Sequence, residues 1–356
     1  MKICFERAAK AIVLAGFLLS GRAGAECQMT KFGSLAIQVQ DNRIVVPGQI
    51  NGHPMKFLFD PAAPGTLLLA PYAHSVGLNV DDLFANRRSS SLESRSPMGQ
   101  ATLDEMRVDS YSLKGIRVTV RGQHETFGQP DLVALLGNDF LGQFDIEIDL
   151  KANTLNLFKP QGCEGANLAY WTDAYNVLDL DPSRQKVQMT VKVNGNNVAA
   201  VMDGGSPFSG LTDLEATSAN ISTDAAPLES PAGTAGASDY FTVAYDVANG
   251  FGAEHRGINT AKSGPEEANG GPSRVWLASA DSVQLDQETI HPAKLRVFRY
   301  AHKSAEIGSR MGGQAAFAEG MVLGVDFLRS HHVLISHSQN KFYFSYSGGA
   351  PFQMAQ

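Results

Sequence analysis

The chain has 356 residues, a formal net charge of −7 at pH 7 and a hydrophobic fraction of 43%. That length and apolar content suit two domains or one large bilobal one. An acidic chain with no basic cluster is a poor partner for nucleic acid.

Lys2, Arg7 and Lys10 precede an apolar run from Ala11 to Leu19, and the small residues Ala23-Gly24-Ala25 follow. This order predicts a secretory signal peptide over residues 1–25, cut after Ala25. The run is too short to cross a bilayer core of roughly 30 Å, so no stable membrane span is expected. Glu26 stands where a lipid-attachment signal wants a small residue, which argues against lipidation at Cys27. The expected location is periplasmic or secreted. Cys4 would leave with the signal, and Cys27 and Cys163 would remain. In an oxidising compartment that pair predicts one disulfide, with two buried free thiols as the alternative.

The rest of the chain is written twice. Val46 to Asp60 has an Asn51-Gly52 dipeptide between strand-like runs and ends in Phe57-Leu58-Phe59-Asp60. Met189 to Asp203 has Asn194-Gly195 in the same place and ends in Val201-Met202-Asp203. Asn-Gly is a strong signal for a tight hairpin turn. Asp109-Ser110-Tyr111-Ser112-Leu113 returns as Asp281-Ser282-Val283-Gln284-Leu285. Leu135-Leu136-Gly137-Asn138-Asp139-Phe140-Leu141 returns as Val322-Leu323-Gly324-Val325-Asp326-Phe327-Leu328. The match runs on without a gap, with Asn153 and Asn340 at corresponding turns.

Short β-rich runs broken by Gly, Asn and Pro dominate. Short helices are predicted near Ala70 to Val76, Asp139 to Gln143 and Asp326 to Ser330. The expected fold is mostly β, with two similar lobes from internal duplication. The first lobe is read over residues 26–165 and the second over residues 166–356. The second is longer and carries a Gly/Ala/Ser-rich insertion, about 212–274, read as a surface loop.

Asp60 and Asp203 each close an apolar strand at repeat-equivalent positions. A lone buried carboxylate is costly. Two that face each other can share one proton, so that one serves as base and the other as acid. Taken singly, each is better read as an ordinary polar residue ending a core strand; taken together, at matching repeat positions, they read as a paired site.

These residues resemble the retropepsin-like aspartic protease family in a fused, two-copy form. The family motif is an apolar strand, then Asp-Thr/Ser-Gly, with an apolar-apolar-Gly element downstream. Leu136 to Leu141 and Leu323 to Leu328 are similar to the family's LG-x-D-F-L run. The resemblance covers most of residues 44–158 and 187–346. It implies two β-barrel lobes, Asp60 and Asp203 as the catalytic pair, a peptide or protein substrate and no cofactor or metal. One chain would supply both halves of the site, so a monomer is expected.

The chain departs from that pattern at Pro61 and Gly204, where the family has a hydroxyl, and at Ala62, where it has Gly. In the family those hydroxyls lock the two catalytic loops together; Ser206 is a candidate substitute. Two readings follow: an aspartic endopeptidase, or a catalytically degenerate peptide-binding protein of the cell envelope. Closing hairpins would fall near Arg88 to Glu105, with a tip at Pro97-Met98-Gly99, and near Ser230 to Phe241. Asp139 and Asp326 read as helix caps. Asp145 and Asp149 read as structural or surface groups. His331, His332 and His337 cluster in sequence but lack metal-ligand spacing.

Overall fold

The computed structural model describes residues 27–82, 98–121, 129–182, 186–223, 272–300 and 320–352. The expected signal peptide, both expected hairpin tips up to residue 97 and at 230–241, and most of the expected insertion lie outside these residues.

The first half holds β1 (Gln28–Leu35), β2 (Gln38–Gln40), β3 (Arg43–Ile50), β4 (His53–Phe59), β5 (Leu67–Leu69), α1 (Ala70–Ser75), β6 (Val80–Asp82), β7 (Met98–Val108), β8 (Tyr111–Arg121), β9 (Leu132–Leu136), α2 (Asn138–Leu141), β10 (Asp145–Asp149) and β11 (Thr154–Gln161). The second holds β12 (Asn176–Asp179), β13 (Gln188–Val193), β14 (Asn196–Met202), β15 (Gly210–Thr212), α3 (Asp213–Ser218), β16 (Pro272–Ala280), β17 (Val283–Leu285), β18 (Glu288–Ile290), β19 (Ala293–Tyr300), β20 (Met321–Leu323), α4 (Val325–Leu328), β21 (His331–Ser336) and β22 (Lys341–Tyr346). The molecule is mostly β, as expected. Among the described residues no helix is long and apolar enough to cross a membrane.

Each half builds one eight-stranded sheet, and the sheets repeat each other's wiring. β3–β4 and β13–β14 are hairpins. Their Asn-Gly turns take positive φ at both residues, 49° and 83° at Asn51-Gly52 and 48° and 81° at Asn194-Gly195. That conformation is open to Asn and Gly and matches the twist of the flanking strands. Asn51 and Asn194 each also accept a backbone N–H at 3.0 Å, from Glu105 and Ser282. β9 and β20 then lie parallel to β4 and β14, so that Phe59 pairs with Leu136 and Met202 with Leu323. Both β9 and β20 are buried along their whole length, which explains their unbroken apolar sequences. The core behind them includes the fully buried Phe57, Phe59, Phe298, Phe327, Phe342 and Phe344.

A third sheet of six strands joins the halves, in the order β1-β11-β10-β21-β22-β12. Its centre is the antiparallel contact of β10 with β21, pairing Ile146 with Ile335 and Ile148 with Val333. Asp145, expected at most to be structural, ties across it by accepting from the Ser336 and Ser338 hydroxyls, each at 2.7 Å. The three histidines do not converge. His331 meets Glu288 at 2.9 Å, His332 meets Glu147 at 3.0 Å, and His337 meets the Phe144 carbonyl at 2.7 Å.

The residues read as the start of the insertion are helical. Thr212 caps α3 by accepting from the Glu215 N–H at 3.3 Å. Thr-x-x-Glu is a capping pattern that the sequence reading passed over. α3 follows β15 as α1 follows β5, so it belongs to the repeat.

Cys27 and Cys163 are disulfide-bonded and close a separation of 136 residues. The bond packs with Phe158, Leu168 and Leu334 at the edge of the joining sheet. Replacing both cysteines with alanine should lower unfolding free energy by about 2–5 kcal/mol. Calorimetry of the variant beside the oxidised parent checks this, and equal melting temperatures would sink it.

Candidate active site

Asp60 follows β4 and Asp203 follows β14, each one residue past the last strand position. The parallel partner strand sets the exit. The Asp60 N–H donates to the Leu136 carbonyl at 3.1 Å, and the Asp203 N–H donates to the Leu323 carbonyl at 3.0 Å. The glycine that ends each partner strand lets the loop beyond the aspartate pass behind it. A Cβ on Gly137 would sit 2.4 Å from the Gly65 backbone, and one on Gly324 would sit 2.5 Å from the Phe208 backbone. Those contacts are too close for any side chain, which accounts for the apolar-apolar-Gly pattern in both copies.

Asp139 and Asp326 are not helix caps. The cap positions are Gly137 and Gly324, and neither helix has a side-chain cap bond. Instead each carboxylate fastens the loop that leaves the neighbouring aspartate. The Thr66 hydroxyl donates to Asp139 at 2.7 Å and accepts from the Gly137 N–H at 3.3 Å. The Ser209 hydroxyl donates to Asp326 at 2.6 Å and accepts from the Gly324 N–H at 2.9 Å. Asp326 also accepts from the Ser209 N–H. Burial, partly offset by the Ser209 bonds, pushes Asp326 up to about 6. Sequence reading missed Thr66 and Ser209. The signal was available: a hydroxyl stands at the same distance past each aspartate.

The two aspartates meet where the lobes join. Asp60 is 0% exposed and Asp203 is 4% exposed. Asp60 Oδ1 accepts from the N–H groups of Ala62 and Ala63 at 2.9 and 3.2 Å. Asp203 Oδ1 accepts from the Gly205 N–H at 2.7 Å. Burial first, and then the charge of Asp203, hold Asp60 well above its ordinary value. Burial raises Asp203 to about 6, against the lowering influence of the Gly205 N–H, Asp60, the Ser206 N–H and Arg43. Asp60 Oδ2 is buried and receives no bond from an N–H or hydroxyl donor. Its polar neighbour is the Asp203 carboxyl, and a proton held between them gives each a partner.

Neither residue after the aspartates carries a hydroxyl, and backbone bonds join the lobes at those positions. The Ile44 N–H donates to the Gly204 carbonyl at 2.9 Å, and the Val187 N–H donates to the Pro61 carbonyl at 3.1 Å. The two bonds occupy repeat-equivalent positions, one running from each lobe. Position 204 also has no room for a hydroxyl-bearing side chain. A Cβ there would lie 2.6 Å from the Phe59 ring and 2.8 Å from the Phe59 carbonyl oxygen. Ser206 does not take over the cross-lobe role, because its hydroxyl donates to Phe208 within its own loop at 2.8 Å.

The contrast of Ala62 with Gly205 has a steric basis. A Cβ on Gly205 would fall 2.7 Å from Leu58 Cδ2 of the first lobe. Ala62 faces the second lobe at the equivalent place and packs with Val201 and Val322. Val201 is the repeat partner of Leu58 and is one carbon shorter. The smaller residue on one lobe makes space for the methyl on the other.

Met98 and Gly99 are not a hairpin tip. They lie in β7 and pair with Arg121 and Val120 of β8. The turn joining β7 to β8 is at Asp109-Ser110, and the residues joining β6 to β7 are outside those described. Among the described residues no three His, Cys, Asp or Glu side chains gather in a metal-binding group.

Fold and site together define a two-lobed β protein with a carboxylate pair at the junction, the architecture of an aspartic protease. Residues 46–140 match a family model described as aspartyl protease. Among solved structures, the chain is similar to a retropepsin-like aspartic protease from Rickettsia conorii at 20% identity, over 38% of this chain and 94% of that one, with a TM-score of 0.25. It is also similar to an aspartic proteinase from Irpex lacteus at 11% identity, over 88% of this chain and 97% of that one, with a TM-score of 0.42. A search of curated proteins returns no significant match.

Two expectations follow. Gly205→Ala should destabilise by about 1–3 kcal/mol through overpacking, and Leu58→Val should recover part of the loss in the double variant. Urea unfolding of all four proteins tests this, and additive losses would refute the steric account. The second concerns pH. A carboxyl whose folded pKa is raised binds its proton more tightly in the folded state, so stability is greatest below the unfolded value and falls as pH rises through the folded one. For Asp203 that window runs from its ordinary 3.8 to about 6. Asp203→Asn should therefore gain stability relative to the parent between pH 4 and pH 7. A constant difference across that range would contradict it.

Proposed function

We propose that this chain is an exported aspartic endopeptidase that works as a monomer, with Asp60 and Asp203 as its catalytic pair. One observation carries the reading. Two buried carboxylates leave repeat-equivalent strands and are pinned by backbone N–H groups, and the charge of Asp203 raises the cost of ionising Asp60. In this arrangement the ionised member draws a proton from a water molecule, and the oxygen attacks the scissile carbonyl carbon. The protonated member gives its proton to the carbonyl oxygen. The tetrahedral intermediate then collapses, the C–N bond breaks, and the leaving nitrogen takes up a proton. Burial strengthens both electrostatic effects by excluding bulk water.

Pro61, Ala62 and Gly204 had favoured a degenerate peptide-binding groove. The backbone bonds at Pro61 and Gly204, and the packing of Ala62 on Val201, support a site held together without the missing hydroxyls and glycine. Export is supported by the disulfide, a bond suited to an oxidising compartment.

The test is cleavage of a mixed peptide library by residues 26–356 from about pH 3 to 9, a range that brackets the two steps of a carboxylate pair. Activity should rise as pH passes about 6, where Asp203 ionises, and fall once the pair loses its second proton. Asp60→Asn and Asp203→Asn should each reduce kcat at least 1,000-fold, roughly the scale of losing an essential general acid or base. A folded parent that binds peptides and cuts none would replace this reading with the peptide-binding one.

A further inference from the structure

We infer that Asn42 is a positioning residue for Asp203: from the tip of a first-lobe hairpin, its side-chain amide anchors the second-lobe loop that holds the Asp203 carboxyl. The anchoring is a property of the fold, and its effect on catalysis rests on the proposed peptidase site.

Two properties suit Asn to that tip. Asp41 and Asn42 are the turn residues between β2 and β3, where Gln40 pairs with Arg43, and their φ angles are 48° and 57°. Left-handed backbone at both positions makes a two-residue hairpin turn, and Asn enters it at little cost. The other property is that one amide carries both a donor and an acceptor. Asn42 Nδ2 donates to the Pro207 carbonyl, and Oδ1 accepts from Arg329 Nε at 2.5 Å. Both partners belong to the second lobe, Pro207 on the loop leaving Asp203 and Arg329 at the end of α4. Turning the amide over would set its oxygen against the carbonyl and its N–H groups against the guanidinium, so the two partners fix its orientation.

The bonds of the loop give this anchor its leverage. The Ser206 carbonyl accepts from the Val325 N–H at 2.9 Å, and the Phe208 carbonyl accepts from the Ser206 hydroxyl at 2.8 Å, both within the second lobe. The Gly204 and Pro207 carbonyls are instead held from the first lobe, by the Ile44 N–H at 2.9 Å and by Asn42. Between those two anchors lies Gly205, whose N–H donates to Asp203 Oδ1 at 2.7 Å. The hairpin thus grips the loop on both sides of the group that orients the carboxyl. The Ile44 anchor is backbone and survives a side-chain change; the Pro207 anchor is a side chain and can be removed by substitution. An N–H bond to an ionised carboxyl favours the ionised form. Loosening the loop at Pro207 therefore weakens the Gly205 bond and raises the pH at which Asp203 ionises.

The experiment compares the parent with Asn42→Gly, Asn42→Asp and Asn153→Gly in the 26–356 chain, each checked for its disulfide and near-ultraviolet circular dichroism. Asn42→Gly keeps the left-handed backbone and deletes the amide. Asn42→Asp keeps the acceptor for Arg329 and loses the donor to Pro207. Asn153→Gly, at a positive-φ turn between β10 and β11, is the control. Three readouts are taken: hydrogen exchange at the Gly205 and Ser206 amides, carboxyl titration of 13C-labelled aspartate by NMR without substrate, and kcat and KM for peptide cleavage. In both Asn42 variants the amides should exchange about 3- to 10-fold faster than in the parent, the scale of one lost hydrogen bond. The lower of the pair's two carboxyl titrations should move upward. The kcat should fall about 10- to 100-fold, the scale of a small misplacement of a reacting group, with KM near the parent value. The control should match the parent in all three. Unchanged exchange and titration in Asn42→Gly, or an Asn42→Asp variant that behaves as the parent, would overturn the inference, and either variant decides it if the other does not fold. Faster exchange in the variants of a parent that cuts no peptide would uphold the anchoring and refute the peptidase reading. Parental cleavage and unchanged exchange in the variants would do the reverse.

Discussion

Burying two carboxylates side by side sets the terms for the rest of the structure. Neither can ionise freely in that position, and both cannot ionise together without strong repulsion. The surrounding chain meets this cost locally. Backbone N–H groups take one oxygen of each aspartate, and the raised pKa of each favours keeping a proton on the pair. Those N–H groups must be aimed, so the loops that carry them must be rigid. Their rigidity comes from the apolar-apolar-Gly strands behind them, and from Thr66 and Ser209 fastened to Asp139 and Asp326. Each layer exists to hold the one in front of it.

Duplication explains the symmetry, and the departures from symmetry show how the two lobes have adjusted to each other. Ala62 and Gly205 differ because Val201 and Leu58 differ. A methyl added on one side is balanced by a methylene removed on the other, which fits the volume conservation that packed cores require. The bonds at Gly204 and Pro61 show a second kind of adjustment. Backbone carbonyls serve where side-chain hydroxyls are lacking, and a carbonyl can be supplied by any residue type, including Pro and Gly. The loops can lose their hydroxyls and remain joined.

The lobes are also coupled at a distance from the site. β10 and β21 pair at the centre of the joining sheet, and Asp145, Glu147 and His332 reach across the boundary between halves. The disulfide sits at the edge of that same sheet. The position of Asp60 relative to Asp203 is thus constrained twice, by contacts at the loops and by a shared sheet behind them.

The sequence alone determined the repeat, the mostly-β class, the Asn-Gly hairpins, the cysteine pair and the two aspartates worth watching. These are local or periodic properties: a turn residue, an apolar run, a spacing that recurs. It did not determine what Asp139 and Asp326 do, because a short helix beginning with Asp looks capped until Thr66 and Ser209 are brought to it by strand pairing. It misjudged α3, where a real capping signal lay inside a stretch whose composition suggested a loop. It treated Ala62 as a defect, because the compensating Val201 belongs to the other lobe and is distant in the chain. The parallel registers and the cross-lobe backbone bonds arise only when the two halves pack. Each depends on contacts between segments far apart in sequence, and no local pattern encodes the distance between such segments.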